Sequence, residues 1–382
     1  MLDSFFANTT MMIILTGALV GCASSLVGTF LVLRGNSMLS DSISHSIIFG
    51  IVVVWMLTGA QSGPVQIIGA ALTGVLTVFL TELLFSTHRV KYDASIGLVF
   101  PALFSIGVLL INVYARDVHI DQHAVLLGEI GFVWLDTVTV LGIEMPRSVV
   151  AMGIVTVVNL LFVSLLYKEL KITTFDPGLA AALGFAPAVL FYALLFLTSA
   201  TAVAAFDAVG AVLFIAFVIV PPSAAYLLTD RLWLIVVLGA LIAIASSIAG
   251  YWLAVAWDVS IGGMMAVMTG VFLALALLFG PRYGIIARLH RARGERDRNA
   301  LRTVTVHLYS HENTSGREEE NLARALQSHL GWSAERAREV VADGITRDLI
   351  ARQGKLLVLT PKGRASARSI LEPWRNEAVP RN

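Results

Sequence analysis

The sequence predicts an all-α polytopic membrane protein of eight or nine transmembrane helices, followed by a small cytoplasmic α+β domain. Three observations predict this class. Apolar residues make up 57% of the 382 residues and charged residues 14%, against roughly 25% charged in soluble domains. Uncharged runs recur at Met11–Leu33, Ala94–Ala115, Ser148–Tyr167, Pro177–Phe206, Ala208–Thr229, Leu232–Trp257 and Val259–Pro281, and about 20 apolar residues cross a hydrocarbon core. The net charge of +1 is also divided. Residues 1–281 hold 8 Lys/Arg and 14 Asp/Glu, a net of −6, whereas residues 282–382 hold 19 and 12, a net of +7. The expected organisation is a membrane body over 1–281, a charged linker over 282–305 and a basic soluble domain over 306–382.

Nine segments can be drawn, roughly 11–33, 38–58, 65–85, 94–114, 148–167, 186–206, 208–228, 232–254 and 260–280. The first lacks a basic flank and an Ala-x-Ala cleavage site, so it reads as a retained helix. Asp207 leaves little room for a turn inside 186–228, so one of those two segments could be re-entrant, giving eight spans. The single cysteine, Cys22, excludes a disulfide framework and a Cys-based zinc site. With the charged tail placed in the cytoplasm, the inside loops hold Arg34, Arg89 with Lys91, Lys168 with Lys171, and Arg231. The outside loops hold Asp117, Asp121, Glu129, Asp136 and Glu144, with only Arg116 and Arg147 as basic residues. That is the positive-inside distribution, with the N-terminus outside.

In the second segment, Asp41 and His45 stand four residues apart within Ser40-Asp41-Ser42-Ile43-Ser44-His45-Ser46, and no Asp, Glu, Lys or Arg follows from Ser42 to Thr81. Residues at i and i+4 share a helix face. Counting from Arg34 at 1.5 Å per residue, Asp41 lies about 10 Å and His45 about 16 Å deeper, near the middle of a core about 30 Å thick. Ionisable groups there are expensive unless they line a polar path or meet an ion, so the pair is a candidate cation site in a transporter. The alternative is a satisfied Asp–His or Asp–Arg34 pair that locks helix packing. Asp207 reads equally as a third metal ligand, an outer gate or a turn residue. Glu82 ends the third segment as an interface residue. His119-x-Asp121-x-His123 reads as a solvated outer loop touching a metal-delivering protein, and His307 with His311 is a weak metal signal.

Between the fifth and sixth segments, Asp176 is a good N-cap, Pro177 suits the first helical position and Gly184 supplies a C-terminal stop. This short helix follows Lys168 and Lys171 on the cytoplasmic side. It reads as a docking element for a soluble partner, or as an ordinary interfacial helix.

Phe175-Asp176-Pro177-x-x-Ala180-x-x-Leu183-Gly184 resembles the coupling-helix region of the ABC-3 metal permeases, the membrane subunits of ATP-binding-cassette importers for manganese, zinc or iron. Three further stretches resemble the same family in the same order. They are Ser40-Asp41-Ser42-Ile43-Ser44-His45-Ser46 running to Gly50, Asp93-Ala94-Ser95-Ile96-Gly97-Leu98-Val99-Phe100, and Ala208–Leu213 with Val220–Thr229. The resemblance covers about residues 11–281, with Phe49 standing where the family usually has proline. It implies a type II importer-like permease in which Asp41 and His45 hold the metal in transit. It also implies that Phe175, Asp176, Pro177, Ala180, Leu183 and Gly184 meet a separate P-loop ATPase.

The implied partners are that ATPase, an extracytoplasmic solute-binding protein, a second permease copy or paralogue, and membrane lipid. No Gly-x-x-x-x-Gly-Lys-Ser/Thr occurs in this chain, so it has no P-loop and is expected to be a transport subunit rather than an enzyme. No permanent cofactor is expected. The cargo is a divalent metal: carboxylate and imidazole without thiolate suit manganese, iron or zinc, and manganese is favoured because Ala208–Thr229 looks most like the manganese/iron branch. The other classes are an ion-driven secondary transporter and a membrane-tethered regulator.

In the tail, Glu318–Leu330 reads as an amphipathic helix. Ser333 reads as the N-cap of a second helix reaching about Asp348, Lys355–Thr360 as a strand, and the chain after Pro361 as a helix to about Asn376. That is the order of a winged helix. Leu349-Ile350 with Leu359-Thr360-Pro361-Lys362-Gly363-Arg364-Ala365 and Ala367 resembles the DNA-binding domain of repressors of the diphtheria-toxin-repressor type. Interaction or regulation is expected of this tail, and nucleic acid is not expected as a partner.

Overall fold

The computed structural model describes residues 8–59, 64–114, 128, 130–140, 142–314 and 317–372. The chain forms two compact units, Met1–Ile285 and Ile286–Asn382.

In the first unit the apolar runs are helices: α1 Thr9–Leu33, α2 Ser37–Thr58, α3 Pro64–Phe85, α4 Tyr92–Tyr114, α5 Arg147–Leu165, α6 Tyr167–Phe175, α7 Pro177–Ala182, α8 Pro187–Leu228, α9 Leu232–Trp257 and α10 Ile261–Phe279. Eight of them are long and apolar enough to cross a membrane. Their outward faces carry leucine, valine and phenylalanine, as a bilayer allows, while small residues sit where helices meet. A short antiparallel hairpin, β1 Thr137–Val140 with β2 Ile143–Pro146, precedes α5.

Helix α8 is 42 residues long, about 63 Å if straight and twice a hydrocarbon core. It is two helices broken at Gly210, whose φ of 76° and ψ of 168° is a conformation essentially reserved for glycine. The chain reverses there. Helices α1 and α9 run antiparallel, Gly239 lying against Ser25, Ala243 against Gly21 and Ser247 against Gly17. The C-terminal end of α1 therefore shares an end of the bundle with the start of α9. Phe191, near the start of α8, lies under Arg34 at that end, and Leu228, the last residue of α8, precedes the start of α9 by only a few residues. Gly210 instead neighbours Gly128, and Val209 lies near Gly262 at the start of α10. Residues 187–209 and 211–228 thus pass through the bundle in opposite directions. The two segments drawn around Asp207 both exist, and the turn between them is one glycine.

The core centres on α1, which is largely buried along its length and packs against α8 and α9. At Gly28 a Cβ would stand 2.0 Å from the Val218 carbonyl oxygen, so only glycine permits this approach of α1 to α8. Asn159, buried on α5, donates from Nδ2 to Thr201 Oγ1 at 2.9 Å and to the Ala23 carbonyl at 3.2 Å, tying three helices. Tyr192 donates its hydroxyl to Glu82, joining α8 to α3.

The second unit comprises nearly all of α11 Ile285–His311, then α12 Arg317–Glu320, α13 Ala325–Leu330, α14 Ala334–Thr346, the antiparallel pair β3 Ile350–Gln353 and β4 Leu356–Leu359, and α15 Pro361–Leu371. Ser333 caps α14 and Thr360 caps α15, each side chain accepting from a backbone amide. Two expectations change here. The stretch 282–305 is not a separate linker, because Ala300, Leu301 and Val304 on α11 lie in this unit's core with Val340, Val341, Ile350 and Leu359. Nor is Glu318–Leu330 one helix. It breaks between Glu320 and Ala325, where Leu322 bridges to Leu356 and Leu357 N donates to the Asn321 carbonyl.

Candidate functional site

Helix α2 begins at Ser37, after a left-handed Gly35 that lets the chain turn out of α1. Its buried side carries Leu39, Ile43, Ile47 and Gly50. Asp41 and His45 lie on its other stripe, with His45 Nε2 3.5 Å from Asp41 Oδ1 and side-chain exposures of 33% for His45 and 42% for Asp41. The pair is neither sealed in the core nor spread on the surface. The imidazole stacks on Phe100, with ring centroids 5.8 Å apart, and meets the edge of Phe104 at 6.4 Å. These phenylalanines stand 8 and 12 residues into α4, about 12–18 Å along its axis. The arrangement offers one carboxylate oxygen and one imidazole nitrogen toward the same space, backed by aromatic rings that restrict the imidazole's swing.

The four flanking serines do something different. Ser40, Ser42, Ser44 and Ser46 are all buried and donate to carbonyls three or four residues back, Ser37, Met38, Ser40 and Ile43 respectively. Their hydroxyls are satisfied within the helix. Thr77 also donates to Ser46 Oγ at 2.7 Å, fixing α2 to α3. Helix α2 continues unbroken through Phe49, whose backbone approaches Gly107 of α4.

Arg34 does not pair with Asp41. Its guanidinium donates to Thr173 Oγ1 at 3.1 Å and Thr174 Oγ1 at 3.3 Å, and lies 5.0 Å from the centroid of the Phe191 ring. Asp207 is not brought to the pair either. Ser199 of α8 lies against Gly74, beside Ile43 of α2, and Asp207 is 8 residues further on, about 12 Å along the helix. It is exposed at the Gly210 reversal. His119, Asp121 and His123 lie outside the described residues.

The 174–184 element is capped as its sequence implies. Asp176 accepts from Leu179 N at 2.9 Å and Pro177 occupies the first helical position. Gly184 takes φ 88°, with its N–H donating to Ala181 O and that of Phe185 to Ala180 O, both at 3.0 Å. This paired closure lets a six-residue helix end sharply. Ala180 faces inward, whereas Phe175 at 58%, Leu179 at 49% and Leu183 at 60% are exposed. That apolar face lies at the same end of the bundle as Arg34.

Sequence reasoning missed the two phenylalanines around His45 and the link from Arg34 to Thr173. Phenylalanine in an apolar run carries no signal of its own. Arg34 was visible as a lone cation at a helix end, but its partner lies 139 residues away.

Comparison with known proteins places these features in a wider set. Residues 7–280 match the ABC 3 transport family. The chain is 47% identical over 363 residues to the zinc transport system membrane protein TroD of Treponema pallidum, covering 95% of this chain and 99% of that one. It is 49% identical over 277 residues to the manganese transport system membrane protein MntD of Bacillus subtilis, covering 72% and 94%. Among solved structures, PsaBC from Streptococcus pneumoniae in complex with Fab matches with a TM-score of 0.62 and 25% identity, over 74% of this chain and 98% of that chain.

Proposed function

The chain belongs to the ABC 3 transport family, and we propose that it imports manganese, passing the ion through a mid-membrane Asp41/His45 site. It is a multi-pass permease of the metal-transporting kind; the cargo, the site and the partners are our reading. The observation that carries it is the half-exposed Asp41–His45 pair. A carboxylate with no cation other than a neighbouring imidazole is unfavourable inside a bilayer, and a divalent ion held between oxygen and nitrogen removes that cost. Two ligands from one chain make an incomplete coordination shell, which suits a site that must release its ion. Water or a second permease copy would complete it.

The donor set suits manganese, zinc or iron. Affinity alone favours zinc, so manganese import requires selection by geometry or by the extracytoplasmic binding protein that delivers the ion. On this reading the α6–α7 end is cytoplasmic and the N-terminus lies outside. The apolar face of Phe175, Leu179 and Leu183 receives a separate ATPase, and its movement reaches α2 through Thr173, Thr174 and Arg34. The second unit serves as a winged-helix-like regulatory module. Its element order supports this, and Arg336, Arg347 and Arg364 are committed to Asp297, Asp343 and Glu312 rather than left for phosphates, so DNA binding is not part of the proposal.

The test is reconstitution with a P-loop ATPase and an extracytoplasmic metal-binding protein as the proposed partners. ATP-dependent uptake of ⁵⁴Mn²⁺ by proteoliposomes, competed by unlabelled Mn²⁺ more strongly than by Zn²⁺ or Fe²⁺, is the expected result. Uptake without ATP points to a secondary transporter, and preferential competition by Zn²⁺ reassigns the cargo.

A further inference from the structure

Three residues in the second unit, distant in sequence, converge. His307 on α11, Glu320 at the end of α12 and His329 on α13 each offer one ligand atom, and these atoms all lie within 4.8 Å of one another. His329 Nδ1 is 2.5 Å and His307 Nε2 4.0 Å from Glu320 Oε2. The carboxylate oxygen is buried and accepts no hydrogen bond, so the short imidazole contact lacks the alignment that proton sharing needs. His307 Nε2 also lies 3.2 Å from the Glu320 carbonyl, a hydrogen bond that ligation through this nitrogen would replace, and its ring lies 4.8 Å from that of His311. Side-chain exposure falls from 48% at His329 to 24% at Glu320 and 10% at His307, so the cluster opens to solvent on the His329 side.

We propose that His307, Glu320 and His329 form a divalent transition-metal site in the second unit. Two imidazoles and one carboxylate are a sufficient three-residue set for zinc, with an open fourth position. Bonds of about 2.0–2.1 Å to a tetrahedral ion require ligand atoms roughly 3.3 Å apart, reached when the 2.5 Å His329–Glu320 contact opens and the His307 nitrogen, now 4.0 Å from Glu320, moves inward. The ion would tie the two short helices α12 and α13 to α11, giving this unit an ion-bound state and an ion-free one. With the second unit cytoplasmic, as the proposed function has it, the site would answer to ions already inside the cell; ion binding itself is tested independently of transport, because it needs neither ATPase nor gradient.

The experiment uses the full-length chain in nanodiscs, its affinity tag removed, carrying Asp41→Ala and His45→Ala so that the membrane pair is silent. Isothermal titration with Zn²⁺ and absorption spectra with Co²⁺ should show one ion bound per chain. His307→Ala, His329→Ala and the near-isosteric Glu320→Gln should each lower Zn²⁺ affinity at least tenfold and weaken the Co²⁺ ligand-field bands, with helical circular dichroism unchanged. Absence of Zn²⁺ binding in the silent-pair protein, or binding unaffected by all three substitutions together, would overturn the proposal.

Discussion

Arg34 donates to Thr173 at 3.1 Å, joining the turn before the Asp41 helix to the segment that leads into α7. The same guanidinium donates to Thr174 at 3.3 Å, and among the described residues no other side chain of the α1–α2 turn hydrogen-bonds to α6. A push on α7 therefore has a short polar route to α2. The guanidinium is partly buried and desolvation lowers its pKa, yet an arginine stays charged at any working pH.

Replacing Arg34 with Ala should leave the protein inserted and able to bind ATPase, but should lower metal-stimulated ATP hydrolysis at least fivefold. Arg34→Lys should restore little, because a point ammonium cannot reach both threonines and also cover Phe191 as the planar group does. Steady-state ATPase assays with and without metal-loaded binding protein measure this, and wild-type stimulation in Arg34→Ala would exclude the route.

Leu179→Asp should separate the permease from its ATPase. The residue is 49% exposed on a helix held rigid by the Asp176 cap and Gly184 closure, so the charge changes the surface without disturbing the fold. Copurification checks it. Recovery of the ATPase in full yield would move the docking surface elsewhere.

Gly210→Ala should destabilise the first unit by about 1–3 kcal/mol, the cost of holding a non-glycine residue in this backbone region. Thermal unfolding in detergent should show a lower midpoint than for Ala211→Gly, a change at the neighbouring position that leaves the reversal intact. Equal midpoints would argue against a strained turn.

The reversal also predicts labelling. In a Cys22→Ser background, Asp207→Cys should react with a membrane-impermeant maleimide from the side opposite Leu183→Cys. Reaction of both from the same face would contradict two passes through 187–228.

Much of this architecture was legible from residues 8–281, because each apolar run had only a bilayer or a core to enter. The Asp176 cap, the Pro177 start and the Gly184 stop were local features, and local rules sufficed. The Gly210 reversal was half legible: Asp207 marked an interruption, but the turn needs only one residue and no loop composition advertises it. The tail boundary was misread because α11 is charged along its length, and the core positions Ala300, Leu301, Val304 and Leu308 occupy one narrow face of it. The break after Glu320 depends on Leu322 meeting Leu356, which spacing along the chain does not reveal. For the same reason the metal signal in the tail was weighed on His307 and His311 alone, although the carboxylate comes from Glu320 and the second imidazole from His329.

The central claim is that Asp41 and His45 ligate the transported ion. Its most direct test is ATP-driven ⁵⁴Mn²⁺ uptake into proteoliposomes containing Asp41→Ala or His45→Ala permease at matched insertion. If each residue supplies one ligand atom, each substitution should reduce uptake at least a hundredfold while the ATPase still copurifies. Uptake by either variant at the wild-type rate would show that the ion crosses without this pair, and the pair would then be a packing contact.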